Sequence, residues 1–225
     1  KTPCGHMRAP GEPQGFFANE SQMDLVARRL GMDPIAFRKK NLMHDGDLSP
    51  IGHAVPHIKS EETLAQALAA SGYSKPKRKH IGRGLALAQW LPLGGEGHAC
   101  VTVDARGAIT VSTAMVDQGA GTYTAMRQIA ANELQVPVDR VRFQILDTGA
   151  AAADTGVGAS RATRIFGNAT HAAAIQVRDK LLQGASEILG VSTDELSLAG
   201  AGAIRSRSGK QASYDAIVER LGGSI

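Results

Sequence analysis

Two glycine-rich stretches constrain this chain more than any other feature. Residues 117–124 read Asp-Gln-Gly-Ala-Gly-Thr-Tyr-Thr, and residues 154–163 read Asp-Thr-Gly-Val-Gly-Ala-Ser-Arg-Ala-Thr. Each is expected to join a strand to a helix, which leaves backbone N–H groups free where an anion could dock. Two such turns about thirty residues apart suggest one anionic ligand gripped twice. The same residues also fit plain turns that need glycine and a threonine cap, and spacing alone does not choose between the readings.

A chain of 225 residues with 43% apolar composition can bury a core as one large domain or two small ones. Its 26 glycines and 4% aromatic residues point to α/β or α+β architecture rather than a bundle, and α+β with mixed sheets and packed helices is the expectation. A net charge of +4 is too small to imply nucleic-acid binding and is compatible with an anionic cofactor. Cys4 and Cys100 lack Cys-x-x-Cys or histidine company, so neither a disulfide framework nor a zinc site is indicated. His44, His53 and His57 are irregularly spaced, which argues against a metal site. No apolar run reaches membrane-span length and no signal-peptide pattern is present, so a cytoplasmic location is expected over a periplasmic one. The chain begins at Lys1 and not Met, and is expected to be an internal piece of something longer.

Taken in order, prolines and glycine across residues 7–14 should forbid regular helix and hold Arg8 on a stiff loop. Met23, Val26, Ala27 and Leu30 form a helical face ending at Gly31, and Asp33-Pro34 should cap a short helix to about Asn41. Another helix is expected over 61–70, stopped near Gly72, followed by the basic run 75–80, read as a solvated linker. Ile81 to Ala88 reads as a strand; Ala99, Val101 and Val103 should pair with Ile109, Val111 and Thr113 through a turn at 104–107. Met126, Ile129, Ala130 and Leu134 mark the helix after the first glycine turn, and Val141, Phe143 and Ile145 a half-buried strand. Behind the second turn, Ala174, Val177, Leu181, Ala185 and Ile188 trace a long helix stopped by Gly190. Ser192 and Glu195 could form a capping box. A hairpin over 196–205, a helix over 213–221 and a tail without a closing element complete the expectation.

The chemistry available is polar and mostly neutral at the first turn. Gly119 and Gly121 allow close backbone approach, while Gln118, Thr122 and Thr124 offer hydrogen bonds. The second turn adds Ser160, Arg161, Thr163 and Arg164, cations placed where a helix macrodipole disfavours them unless an anion is bound. The Gly-x-Gly lacks the third glycine of a dinucleotide fingerprint and no P-loop is present, so the usual nucleotide folds are disfavoured. No nucleophile elbow appears. Glu12 and Glu96 are the loop carboxylates available for proton transfer, with surface charge as the simpler role.

In order and in detail, these residues resemble the large, molybdenum-cofactor-binding subunit of the xanthine dehydrogenase and aldehyde oxidase family. Residues 7–14, Met-Arg-Ala-Pro-Gly-Glu-Pro-Gln, resemble that family's Arg-Gly-Phe-Gly-x-Pro-Gln segment. Residues 117–122 are similar to its Gly-Gln-Gly-x-x-Thr loop, and 158–163 to its small-small-Ser loop. The resemblance implies that Gln118, Gly119, Ala120, Gly121, Thr122 and Thr124 hold the pterin and its phosphate tail. By the same resemblance Gly158, Ala159, Ser160, Arg161 and Thr163 meet the cofactor from the other side, and Arg8 stands near the substrate pocket. It implies a molybdenum-molybdopterin cofactor, in the cytosine dinucleotide form, and oxidation of an aldehyde or N-heterocycle with oxygen from water. Pro10, in place of an aromatic, favours those substrates over xanthine. Electrons would leave through an iron-sulfur subunit or domain, with a flavin or cytochrome partner beyond it, in an oligomeric enzyme. Residues 1–74 would end the first cofactor-binding region, 75–80 form a basic linker, and 81–225 belong to the second region, cut on its C-terminal side. The catalytic glutamate of the family's Gly-x-Gly-Glu motif is absent from this chain, and the piece alone is expected to be inactive. The alternative is a noncatalytic phosphate- or nucleotide-binding module; a third reading is an oligomerising scaffold.

Overall fold

The computed structural model describes residues 5, 8–50, 52–55, 57–90, 94–147, 149–151 and 156–225; the expectations at Cys4, Met7, Asp154 and Thr155 lie outside the described residues. The chain divides into two compact units, Lys1–Trp90 and Leu91–Ile225.

The first unit carries three helices, α1 (Glu12–Arg29), α2 (Pro34–Lys40) and α3 (Ser60–Ser71). Proline and glycine do not keep helix out of residues 12–14, as the sequence suggested. Gly11 serves as a left-handed N-cap and Pro13 falls in the first turn, where its missing N–H costs nothing. The Asp33 carboxylate accepts the N–H groups of Ile35 and Ala36 at 3.0 and 2.9 Å, the expected cap of α2. Gly72 closes α3 in the left-handed conformation. Arg38 is buried between α1 and α2, donating to Glu20 and Asp24 at 2.8 Å each and to the carbonyls of Glu20 and Pro34. Each of its three nitrogens therefore has an acceptor, which is what makes a buried guanidinium tolerable.

Residues 81–90 are not the expected strand. The amide of Leu87 donates to the Glu20 carboxylate at 2.8 Å, so a side chain takes the bond a neighbouring strand would have supplied. Residues 75–80 run as exposed coil, and the guanidinium of Arg83 donates to the carbonyls of Tyr73, Lys75 and Pro76.

The second unit is built on two three-stranded sheets. In the first, β1 (Cys100–Val103) pairs antiparallel with β2 (Ile109–Thr113), the expected hairpin. β2 then pairs parallel with β3 (Val141–Ile145), and α4 (Thr122–Glu133) is the crossover between them. Val101, Val103, Ile109, Val111 and Val141 face the core. β3 is less buried than its alternation suggested: Phe143 is half-buried against Tyr123, ring centroids 4.3 Å apart, and Ile145 is exposed. The tail does close. Ile225 exchanges both backbone hydrogen bonds with Val103, at 3.0 and 3.1 Å, on the outer edge of β1.

Helix α5 (Ala162–Leu189) spans the unit, buries Phe166, Ala174, Val177, Leu181, Ala185 and Leu189, and ends at left-handed Gly190. Leu189 replaces the expected Ile188 at the inner face. The Ser192–Glu195 capping box forms. The second sheet is an antiparallel meander of β4 (Leu196–Gly200), β5 (Ala203–Ser206) and β6 (Gln211–Ser213), one strand more than the expected hairpin, followed by α6 (Tyr214–Arg220).

Tyr214, 1% exposed, donates its hydroxyl to the carbonyl of Leu134 at 2.9 Å. Burial pushes its pKa up to about 12. A phenol kept neutral in the fold but free to ionise in the unfolded chain contributes stability that is intact below pH 10 and lost as pH rises to about 12. Denaturation titrations should show an alkaline loss on the order of 2 kcal/mol assignable to this group, absent in Tyr214→Phe.

Candidate functional site

The site follows from the parallel pairing of β2 and β3. In a parallel sheet, the loops leaving the carboxyl ends of the strands share one edge, and that edge is where ligands bind in α/β folds. Residues 114–121 leave β2 for α4, and residues 146–161 leave β3 for α5. Both glycine turns are therefore delivered to one edge of the same sheet.

The packing of the helices brings their starts together as well. Met126 of α4 meets Thr170 and Gly167 of α5, with 3.4 Å between the Thr170 hydroxyl and the Met126 sulfur. Two turns further along α4, Glu133 accepts from His171 at 3.0 Å and from Arg178. Contacts advance along both helices in the same direction, so the pair is parallel and both N-termini lie at one end. Gly167 permits this approach: a Cβ there would stand 3.1 Å from Ile129 Cδ1.

At the first turn the backbone N–H groups are not free, as the sequence suggested. Asp117 Oδ1 accepts those of Gly119, Ala120 and Gly121 at 2.7, 2.9 and 3.3 Å. Desolvation opposes ionisation of this carboxyl, but the N–H groups of Gly119, Ala120, Gly121 and Tyr123 outweigh it and hold the pKa below the ordinary aspartate value. Gly119 and Gly121 sit at φ +91° and +77°, the conformations that demand glycine here. Gln118, Gly119, Ala120 and Gly121 are exposed at the tip, and Thr124 is exposed in the first turn of α4. Thr122 differs: it is 7% exposed, and its buried hydroxyl has no hydrogen-bond partner among the described residues.

β3 ends at Ile145, well before the glycines of the second turn. Ala159 and Ser160 both adopt left-handed backbone, φ 54° and 58°, an uncommon state for residues with a Cβ. Arg161 braces them. Its Nε donates to the Gly158 carbonyl at 2.9 Å and a terminal nitrogen to that of Gly94 at 3.4 Å. Gly158 and Ser160 are exposed, and Thr163 and Arg164, read from sequence as loop, lie exposed in the first turn of α5.

A third component escaped the sequence reading. Residues 94–98 form a strap across the start of α5, held by Arg161 at Gly94 and by the Thr113 hydroxyl, which donates to the His98 carbonyl at 2.8 Å. Glu96, considered above for proton transfer, is on this strap. Between strap, sheet edge and helix lies a cleft of about 180 Å³ lined by residues including His98, Cys100, Ser112, Leu146 and Phe166. The glycines at 94, 95 and 97 were the available signal, but nothing local says what they approach. Arg8 and Glu12 belong to the first unit: Arg8 is exposed with φ 28°, and Glu12 opens α1 with one buried carboxylate oxygen that has no partner among the described residues. No group of three metal-ligating side chains occurs among the described residues, and no helix there is long and apolar enough to cross a membrane.

Fold and site thus define an α+β protein with two glycine turns at adjacent helix starts. Two profiles of the molybdopterin cofactor-binding domain match the chain, over residues 55–223 and 1–42. The chain belongs to the molybdopterin cofactor-binding domain family, in the xanthine dehydrogenase and aldehyde oxidase group. It is 32% identical to the 6-hydroxypseudooxynicotine dehydrogenase complex subunit gamma of Paenarthrobacter nicotinovorans, over 88% of this chain and 27% of that protein. It is 30% identical to a xanthine dehydrogenase molybdenum-binding subunit of Escherichia coli, over 87% and 28%. The fold matches quinoline 2-oxidoreductase from Pseudomonas putida 86 with a TM-score of 0.74 at 24% identity, covering 97% of this chain and 31% of that one. The chain spans about a quarter of the length of the curated relatives it matches. The reading as a noncatalytic phosphate or nucleotide module finds no support in these matches.

Gly97 decides how closely the strap lies on α5, because a Cβ there would stand 2.6 Å from Ile165 Cγ2 and 3.2 Å from Phe166. Gly97→Ala should lower stability by about 1–2 kcal/mol. Gly94→Ala, whose Cβ would meet nothing within 4 Å, is the control; chemical denaturation of the two variants makes the comparison.

Proposed function

We propose that this chain is the part of a molybdenum hydroxylase that grips the molybdopterin cofactor, within an oxidoreductase acting on an aldehyde or N-heterocycle. The observation that carries the reading is the Thr122 hydroxyl, buried without a partner among the described residues at the start of α4 and beside the Gly119–Gly121 turn. Buried hydroxyls are nearly always satisfied, so an orphan at a glycine turn fits a missing ligand atom. The donor set agrees: Gln118 offers amide donors and acceptors, the glycines offer close approach, and Ser160, Thr163 and Arg161 lie at the neighbouring helix start.

When bound, the cofactor supplies the redox centre at which a substrate carbon is oxidised with oxygen from water. This chain's residues bind and orient it. Gln118, Gly119, Ala120, Gly121, Thr122 and Thr124 hold the pterin from the β2–α4 side, and Gly158, Ala159, Ser160, Arg161 and Thr163 from the α5 side. Arg161 acts mainly as a brace, since two of its nitrogens are spent on the carbonyls of Gly158 and Gly94. Arg8 serves the substrate pocket, and proton transfer is assigned to a glutamate outside these residues. The cofactor would be the cytosine dinucleotide form, and the partners would be an iron-sulfur subunit or domain with a flavin or cytochrome partner beyond it. Names such as "complex subunit gamma" and "large subunit" among the relatives support an assembly of several chains.

The direct test is metal and pterin analysis of the full-length protein expressed with ample molybdate; a preparation without molybdenum and pterin would refute the reading. Thr122→Val supplies a signature independent of activity. Removing an unsatisfied buried hydroxyl should stabilise the cofactor-free protein by about 1 kcal/mol, while lowering bound pterin several-fold. Stability and cofactor content moving the same way would contradict the role given to Thr122.

A further inference from the structure

We propose that Asp117 is a positioning residue of this site: its carboxylate fills the N–H nest of the β2–α4 turn, so the turn presents its side-chain amide and hydroxyl groups to the cofactor and its backbone N–H groups are not offered to an anion. The inference rests on the cofactor-binding role proposed above and changes one part of it. The resemblance assigned the phosphate tail to this turn, whereas the geometry gives the turn an anion of its own.

One oxygen, Asp117 Oδ1, accepts the N–H groups of three consecutive residues, Gly119, Ala120 and Gly121. These are the donors a phosphate would need. Left-handed φ at Gly119 and Gly121 aims them inward, and the start of the twelve-residue helix α4 adds its positive end to the same spot. A phosphate entering here would meet a carboxylate already seated, at like-charge contact and with its donors taken.

Asp117 thus does for this turn what a bound phosphate does in other glycine turns: it offsets the positive helix start and fixes the loop. Preorganisation of this kind lowers the ordering cost of binding. The exposed Gln118 amide is then held at a fixed tip, and the open space above Gly119 and Gly121, where a Cβ would touch nothing within 4 Å, stays available for the face of a ring.

The experiment compares wild type, Asp117→Asn and Asp117→Ala in the full-length protein, reading amide hydrogen exchange at residues 119–121, bound pterin and the effect of inorganic phosphate on thermal stability. Asp117→Ala should speed exchange at the three amides at least a hundredfold and lower bound pterin at least tenfold. Millimolar phosphate should slow that exchange again and raise the melting temperature in Asp117→Ala, with no such effect on wild type, because the vacated nest accepts the added anion. Asp117→Asn keeps an acceptor oxygen and should speed exchange about tenfold. It carries the test if the alanine variant does not fold. Unchanged exchange in both variants, or a wild type that phosphate stabilises as strongly as Asp117→Ala, would overturn the proposal. A wild type without pterin would instead count against the cofactor reading, and the exchange and phosphate arms would still judge Asp117.

Discussion

The site depends on a close approach of two helices at Gly167. With no Cβ at that position, α5 lies against Met126 and Ile129 of α4, and the pair runs parallel from its N-termini down to the Glu133–His171–Arg178 cluster. A Cβ at 167 would stand 3.1 Å from Ile129 Cδ1, tighter than ordinary contact, in the stretch where both turns attach. The parallel pairing of β2 and β3 then fixes which edge of the sheet those turns occupy. Helix contact and strand direction agree, and together they turn two separate loops into one site.

Both turns meet the electrostatics of a helix start. A helix start exposes unpaired N–H groups and a positive field. At α4 the chain answers with its own Asp117 carboxylate. At α5 it places Arg161 at the cap, where a cation is unfavourable for the helix, and uses the guanidinium on the carbonyls of Gly158 and Gly94. Ala159 and Ser160 are held in left-handed backbone beside it. Strain of this kind persists only where surroundings impose it, and it clusters at functional sites. The strap at 94–98 and the Arg161 brace are those surroundings.

The first unit shows how a single side chain can redirect a segment. Glu20 receives both the Arg38 guanidinium and the Leu87 amide. That shared oxygen ties residues 81–90 to α1 without a ladder, which is why a stretch with strand composition runs as coil. The same economy appears at Tyr214, whose hydroxyl joins α6 to the end of α4 through the Leu134 carbonyl.

The sequence by itself determined most helices, the β1–β2 hairpin and the residue types at both turns, because 3.6- and 2-residue periods, caps and glycines are local signals. Leu30-Gly31, Asp33-Pro34, Gly190 and Ser192-x-x-Glu195 could each be read within a few residues of where they act. Family membership was legible for the same reason, since its motifs are short and ordered. What only the tertiary structure decided is long-range. Local signals cannot say that β3 pairs parallel to β2, that Gly97 presses on Ile165, that Ile225 closes the edge of β1, or that the Thr122 hydroxyl ends up buried without a partner among the described residues. Nor could they say that the N–H groups of the first turn face inward onto Asp117. A glycine records that the backbone must come close or turn left, but the atom it approaches is chosen by the fold.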